Sequence, residues 1–84
     1  MFASSLGPKA RKFLKKSDKD LYSRVMRKIE ELEQNPFPPD VKRVQGRDVK
    51  TFRVRIGDYR IKYVVYYEKN EILIFEIDKR EDAY

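Results

Sequence analysis

Four cations stand close together in this 84-residue chain with a spacing suited to holding an anion: Arg53, Arg55, Arg60 and Lys62. Phe52, Val54 and Ile56 alternate with Thr51, Arg53 and Arg55, the period of a half-buried strand. Gly57-Asp58 then supplies a two-residue turn, and Gly in first place suits a type II′ hairpin. The turn fixes the register, with Ile56 opposite Tyr59, Arg55 opposite Arg60, Val54 opposite Ile61 and Arg53 opposite Lys62. One face carries Phe52, Val54, Ile56, Tyr59, Ile61 and Tyr63, and the other carries the four cations with no acid among them. Directly opposed Cβ atoms lie about 5 Å apart, where like charges destabilise the pair. A multiply charged anion such as phosphate relieves that repulsion. The plainer reading, a solvated basic face, stands beside it, because Arg and Lys are mostly exposed in any fold.

If the anion is RNA, phosphate contacts supply affinity with little sequence information. Exposed aromatic rings would then stack unpaired bases. Tyr66 shares the basic face by parity, and Tyr84 comes near it if the tail folds back. Strand scission by the neighbouring 2′-OH needs a proton acceptor, a proton donor to the leaving 5′-oxygen, and positive charge at the phosphorane. The cations meet the last need. Arg is always charged and cannot serve as an ordinary base. Cationic neighbours favour the deprotonated form of Lys or Tyr, which leaves Lys62, among three arginines, and Tyr84, close to Arg80, as candidate bases. The chain has no Gly-rich phosphate loop, no metal-ligand cluster and no Ser/His/Asp set, so neither a cofactor nor a metal is expected.

The remaining residues must position this face. At 84 residues one domain spanning 1–84 is expected, with a modest core. Charged residues make up 40% and the net charge is +6, a balance that favours an anionic partner. Cysteine and histidine are absent, which excludes a disulfide framework, thiolate chemistry and the commonest general base. No apolar run has the length of a membrane span and no secretory signal stands at the start, so the expected compartment is the cytoplasm, with no membrane partner.

Residues 1–6 suit a short strand only weakly, because Ala3, Ser4 and Ser5 are poor strand formers. Pro8 fits a first helical turn, and Ala10, Phe13 and Leu14 give a short helix over 8–16. Ser17 or Asp18 caps a second helix over 18–34 with Leu21, Val25, Ile29 and Leu32 on its apolar line. The charged residues of this helical hairpin read as a solvated face. The prolines at 36, 38 and 39 end the second helix, with Phe37 expected to plug the edge of the core. A short strand follows at 41–44, with a turn at Gly46. The hairpin's second strand runs to residue 67, Lys69-Asn70-Glu71 turns, and 72–77 forms the last strand. Keeping Glu76 and Asp78 out of the core puts Leu73, Phe75 and Ile77 into it, with Val65 opposite Phe75 across a three-residue loop. In that register Arg60 faces the level of Arg80, which joins the basic face. The expected fold class is α+β, with two N-terminal helices packed on one face of a twisted, mainly antiparallel sheet of three to five strands.

The run Phe52-Arg53-Val54-Arg55-Ile56-Gly57-Asp58-Tyr59-Arg60-Ile61-Lys62-Tyr63 resembles the central strands of the RelE/ParE superfamily of toxins from type II toxin–antitoxin systems. The ending Lys79-Arg80-Glu81-Asp82-Ala83-Tyr84, the segment Lys42-Arg43-Val44-Gln45-Gly46 after a Pro-rich loop, and the helical stretch 9–32 fit the same pattern. The resemblance implies the RelE-like microbial RNase fold and a ribosome-dependent mRNA endonuclease acting in the ribosomal A site. It also implies neutralisation by an acidic RelB-like antitoxin, in a complex that extends to a heterotetramer in some arrangements. Carried over by position, Arg60 and Arg80 match phosphate-binding and leaving-group residues. Tyr84 matches a C-terminal tyrosine that stacks on the substrate base or assists proton transfer. Arg53 and Arg55 fall where well-studied bacterial members carry lysines, one of them a proposed base, which returns the proton acceptor here to Tyr84 or Lys62. Two other readings remain, a ParE-like inhibitor of DNA gyrase and a non-catalytic RNA- or ribosome-binding module.

Overall fold

The computed structural model describes residues 1–44 and 50–79. Five strands and two helices follow one another as β1 (Ala3–Leu6), α1 (Pro8–Lys16), α2 (Lys19–Gln34), β2 (Lys42–Val44), β3 (Thr51–Ile56), β4 (Tyr59–Tyr66) and β5 (Glu71–Lys79). They form one sheet in the order β1-β5-β4-β3-β2, antiparallel throughout except where β1 runs parallel to β5. The helices cover one face of it.

Each helix forms where its apolar stripe and its ends require. α1 opens with Pro8, whose missing N–H costs nothing in a first turn, and buries Ala10 and Leu14. α2 is capped by Asp18, whose Oδ1 accepts from the Leu21 amide at 2.8 Å, and buries Val25, Ile29 and Leu32. The Pro-rich segment after α2 is tied down twice. The Tyr63 hydroxyl donates to the Pro36 carbonyl at 2.6 Å, and Lys28 Nζ sits 3.1 Å from Asp40 and 3.4 Å from Glu31. Burial pulls the Lys28 ammonium down, but the Asp40 hydrogen bond and the two carboxylate charges outweigh it and leave it raised. Phe37 closes the edge of the core, edge-on to Phe52 at 5.0 Å and stacked on Tyr67 at 5.8 Å.

β1 forms despite its weak residues because its partners supply what its side chains do not. Its backbone pairs with β5 from Ala3↔Glu71 to Leu6↔Ile74, and its Ser4 hydroxyl donates to Glu33 of α2 at 2.6 Å.

The last strand corrects the sequence-derived register. Leu73 and Phe75 do not enter the core; Ile72 and Ile74 do, both fully buried, together with Ile77. Val65 stands opposite Ile72, not Phe75, and the connection from β4 is a 3-10 turn at Tyr67–Lys69 with Asn70 at φ 52°. A bulge is the cause. Lys62 pairs with Glu76 and Tyr63 with Ile74, leaving Phe75 as the extra residue. One inserted residue flips side-chain parity, so Ile72, Ile74 and Ile77 all point inward while Glu76 and Asp78 stay outside. Filling an isoleucine site rather than exposing it stabilises by roughly 1.5–3 kcal/mol, enough to favour the bulge.

Candidate nucleic-acid interface

The β3–β4 hairpin has the predicted register, from Ile56↔Tyr59 through Arg55↔Arg60 and Arg53↔Lys62 to Thr51↔Val64. Gly57 carries φ +56° and Asp58 does not take a positive φ, which is the type II′ pattern. Val54, Ile56, Ile61 and Tyr63 are buried under the helices. Arg53, Arg55, Arg60 and Lys62 therefore project from the opposite face.

That face is ordered in rows set by the ladder. The row nearest the turn holds Arg55, Arg60 and Asp78. The next holds Lys42, Arg53, Lys62 and Glu76. Beyond it, Val44, Thr51, Val64, Leu73 and Ser5 form an uncharged row in which Thr51 and Val64 are buried. Tyr66, opposite Glu71, belongs to the row after that.

Three departures from the sequence reading follow. First, the cationic face is not free of acid. Asp78 Oδ1 lies 3.3 Å from Arg60 Nε and its Oδ2 lies 3.2 Å from Lys62 Nζ, with Glu76 3.5 Å from the same ammonium. The two carboxylates relieve the opposed cations from the neighbouring strand, the role assigned above to an external anion alone. Second, Arg60 faces Asp78 rather than the level of Arg80. Third, Lys42 joins the face opposite Arg53, a contribution that strand parity would have revealed had β2 been given a register. Tyr66 is 43% exposed, yet four residues along β4 separate it from Lys62, roughly 13 Å at strand rise. It shares the face without meeting the cations. Arg80, Tyr84 and the expected turn at Gly46 lie outside the described residues.

On the helix side, burial, and secondarily the charge of Asp40, holds the Tyr63 phenol well above its ordinary value. Its hydroxyl is a fixed structural donor and takes no part in the face. Among the described residues no group of His, Cys, Asp and Glu has the arrangement of a metal site, and no helix is long and apolar enough to cross a membrane.

A two-helix layer on a five-stranded sheet with a cationic outer face defines a toxin of the RelE/ParE superfamily, and the comparisons with known proteins agree. Residues 5–84 match the model of the ParE toxin of type II toxin–antitoxin systems, parDE, and the chain belongs to that family. It is 46% identical over 59 residues to the candidate toxin RelE1 of Methanocaldococcus jannaschii, a match covering 67% of this chain and 64% of that relative. Its fold is similar to RelE in the RelE–RelB complex of Pyrococcus horikoshii, with a TM-score of 0.84, 28% identity and 98% of each chain covered. It is also similar to a chain of the Mycobacterium tuberculosis RelBE2 toxin–antitoxin complex, with a TM-score of 0.78 and 25% identity over 94% of this chain and 98% of that one. The isolated E. coli RelE toxin shares the fold at a TM-score of 0.82 and 19% identity, over 99% and 88% of the two chains.

Proposed function

We propose that this single-domain toxin is a ribosome-dependent mRNA endonuclease that binds message in the ribosomal A site and is neutralised by an acidic RelB-like antitoxin. The observation that carries the reading is the convergence of Lys42, Arg53, Arg55, Arg60 and Lys62 on one sheet face. Such a face stabilises the doubly charged phosphorane that forms when the 2′-oxygen attacks phosphorus. In that step a base takes the 2′-OH proton, the O2′–P bond forms and the P–O5′ bond breaks. The leaving 5′-oxygen takes a proton, giving a 2′,3′-cyclic phosphate and a 5′-hydroxyl. Lys62 is already ion-paired with two carboxylates, which favours Tyr84 as proton acceptor and leaves Lys62 to the phosphate. Arg60 binds phosphate, and Arg80 supports the leaving group. Antitoxin pairing is supported by the folds of relatives solved as RelE–RelB complexes. A +6 chain suits an acidic partner.

The test is a purified translation system with mapped message ends. Cleavage by the wild type, lost in Arg60→Ala and Arg80→Ala, is expected. The family model that matches is that of ParE, which favours a second reading, inhibition of DNA gyrase. Intact message together with blocked supercoiling would establish that reading instead. Ribosome binding with neither effect would leave a non-catalytic module.

A further inference from the structure

The sheet is not the least neutralised positive surface of the molecule. α1 carries Lys9, Arg11, Lys12, Lys15 and Lys16 in nine residues with no acid. All five are exposed. Arg11 is engaged with the Leu6 carbonyl at 3.0 Å, but none of the four lysines enters an ion pair among the described residues. The cations Lys28, Arg60 and Lys62 all do. At 3.6 residues per turn, Lys9, Lys12 and Lys16 fall within about 60° of one another around the helix axis, with Lys15 flanking them. The buried side, Ala10 and Leu14, and the edge contact of Phe13 with Tyr59 at 5.5 Å turn α1 toward the sheet. The lysines therefore face away from Arg53, Arg55, Arg60 and Lys62.

Helix stability does not account for this pattern. Lys15 and Lys16 suit the negative C-terminal end of the helix dipole, but a cation in the first turn opposes the dipole. α1 has Lys9 there, no acid in that turn, and no side-chain cap from Gly7.

We infer that the lysine face of α1 is a second docking surface, for the sugar–phosphate backbone of base-paired nucleic acid, on the opposite side of the molecule from the cleavage face. The chemistry selects this occupant. Protein interfaces are depleted in Lys and centre on aromatic or apolar anchors, and the outward arc of α1 offers none. Single-strand binders need aromatic platforms for unstacked bases, and these are missing as well. Lysines on flexible stems, flanked only by the exposed Pro8 and the half-buried Phe13, match a regular array of phosphates, which asks for charge and not for a fitted pocket. The arrangement anchors the toxin on a folded nucleic acid while the sheet addresses a single strand. The docking surface stands independently of whether the sheet cuts that strand.

The experiment compares wild type with Lys9→Gln/Lys12→Gln/Lys15→Gln/Lys16→Gln. It measures fluorescence anisotropy with a short RNA duplex, the same duplex in DNA, a single-stranded RNA and polyglutamate, each at 50 and 200 mM salt. Loss of four phosphate contacts should lower the log–log salt slope for duplexes by about 3–4 and cut the affinity ratio between the two salts by about a hundredfold. Single-strand binding should change little. Gln keeps helix propensity and removes a first-turn cation, so the melting temperature should hold or rise. Arg53→Gln/Arg55→Gln should weaken single-stranded RNA binding more than duplex binding, the reverse of the quadruple variant. Unchanged duplex affinity in a folded quadruple variant overturns the inference. Polyglutamate bound as tightly as duplex, and lost in parallel, overturns the choice of nucleic acid. Loss on RNA duplex but not DNA identifies RNA as the source. Absent message cleavage with duplex binding intact refutes only the nuclease reading.

Discussion

Asp78→Asn should make the protein bind RNA more tightly while making it less stable. Asp78 uses one oxygen on Arg60 and the other on Lys62, at 3.3 and 3.2 Å, with all three side chains between 19% and 29% exposed. Partly exposed pairs of this kind contribute about 0.2–1 kcal/mol each, so losing both costs about 0.5–2 kcal/mol. For a domain of this size each kcal/mol moves the melting point by about 4–8 °C. On the proposed function, RNA phosphate competes with the same carboxylate for Arg60 and Lys62. The free energy lost from folding therefore reappears in binding, as an affinity gain of about 2- to 30-fold. With Arg60 freed and Lys62 held only by Glu76, the salt slope for single-stranded RNA should also steepen by about 0.7–1.4. The assay pairs thermal melts with anisotropy titrations of an uncleavable 2′-deoxy oligonucleotide across a salt series. Weaker or unchanged RNA binding in a folded variant would refute the reasoning, and would mean that Asp78 holds the cations in place rather than competing for them.

Other expectations follow from single contacts. Arg55→Glu turns a repulsive cross-strand pair with Arg60 into an attractive one, so it should raise stability by up to about 1 kcal/mol while weakening RNA binding; stability and binding falling together would argue against a strained cationic face. Tyr63→Phe removes the 2.6 Å bond to Pro36 and leaves that carbonyl unpaired, costing about 1–3 kcal/mol by denaturant titration. Because burial holds the Tyr63 phenol above its ordinary value, the folded state keeps a proton that the unfolded chain releases above about pH 10. Stability should be full below that pH and fall above it. Lys28, also raised, contributes a loss in the same alkaline window, so Tyr63→Phe should flatten part of the decline between pH 9 and 11, and an unchanged slope would contradict the assignment. Gly57→Ala places a Cβ at φ +56°, 2.6 Å from the Arg24 guanidinium. Arg24 is the far end of a flexible side chain and can move, so the backbone sets the cost, about 1–2 kcal/mol, read in equilibrium unfolding.

The sequence by itself determined the helices and the hairpin. Period-two alternation around Gly57-Asp58 set the register of β3 and β4, because a two-residue turn leaves no freedom to slip. The Pro8 start, the Asp18 cap and the prolines after Gln34 bounded the helices, since each signal acts through backbone geometry within a few residues. The tertiary structure decided what lay between distant segments. The bulge at Phe75 has no local signature; it exists because Ile72, Ile74 and Ile77 all gain burial from the helices above them. That same inserted residue sets which cation each acid meets, Asp78 opposite Arg60 and Glu76 opposite Lys62, so the carboxylates kept out of the core partly neutralise the outer face. β1 likewise forms through hydrogen bonds to β5 and α2 that its own residues do not announce. Parity propagates along one strand, but which residues face each other across a sheet depends on the energy of the whole core, and that is settled only when the layers pack.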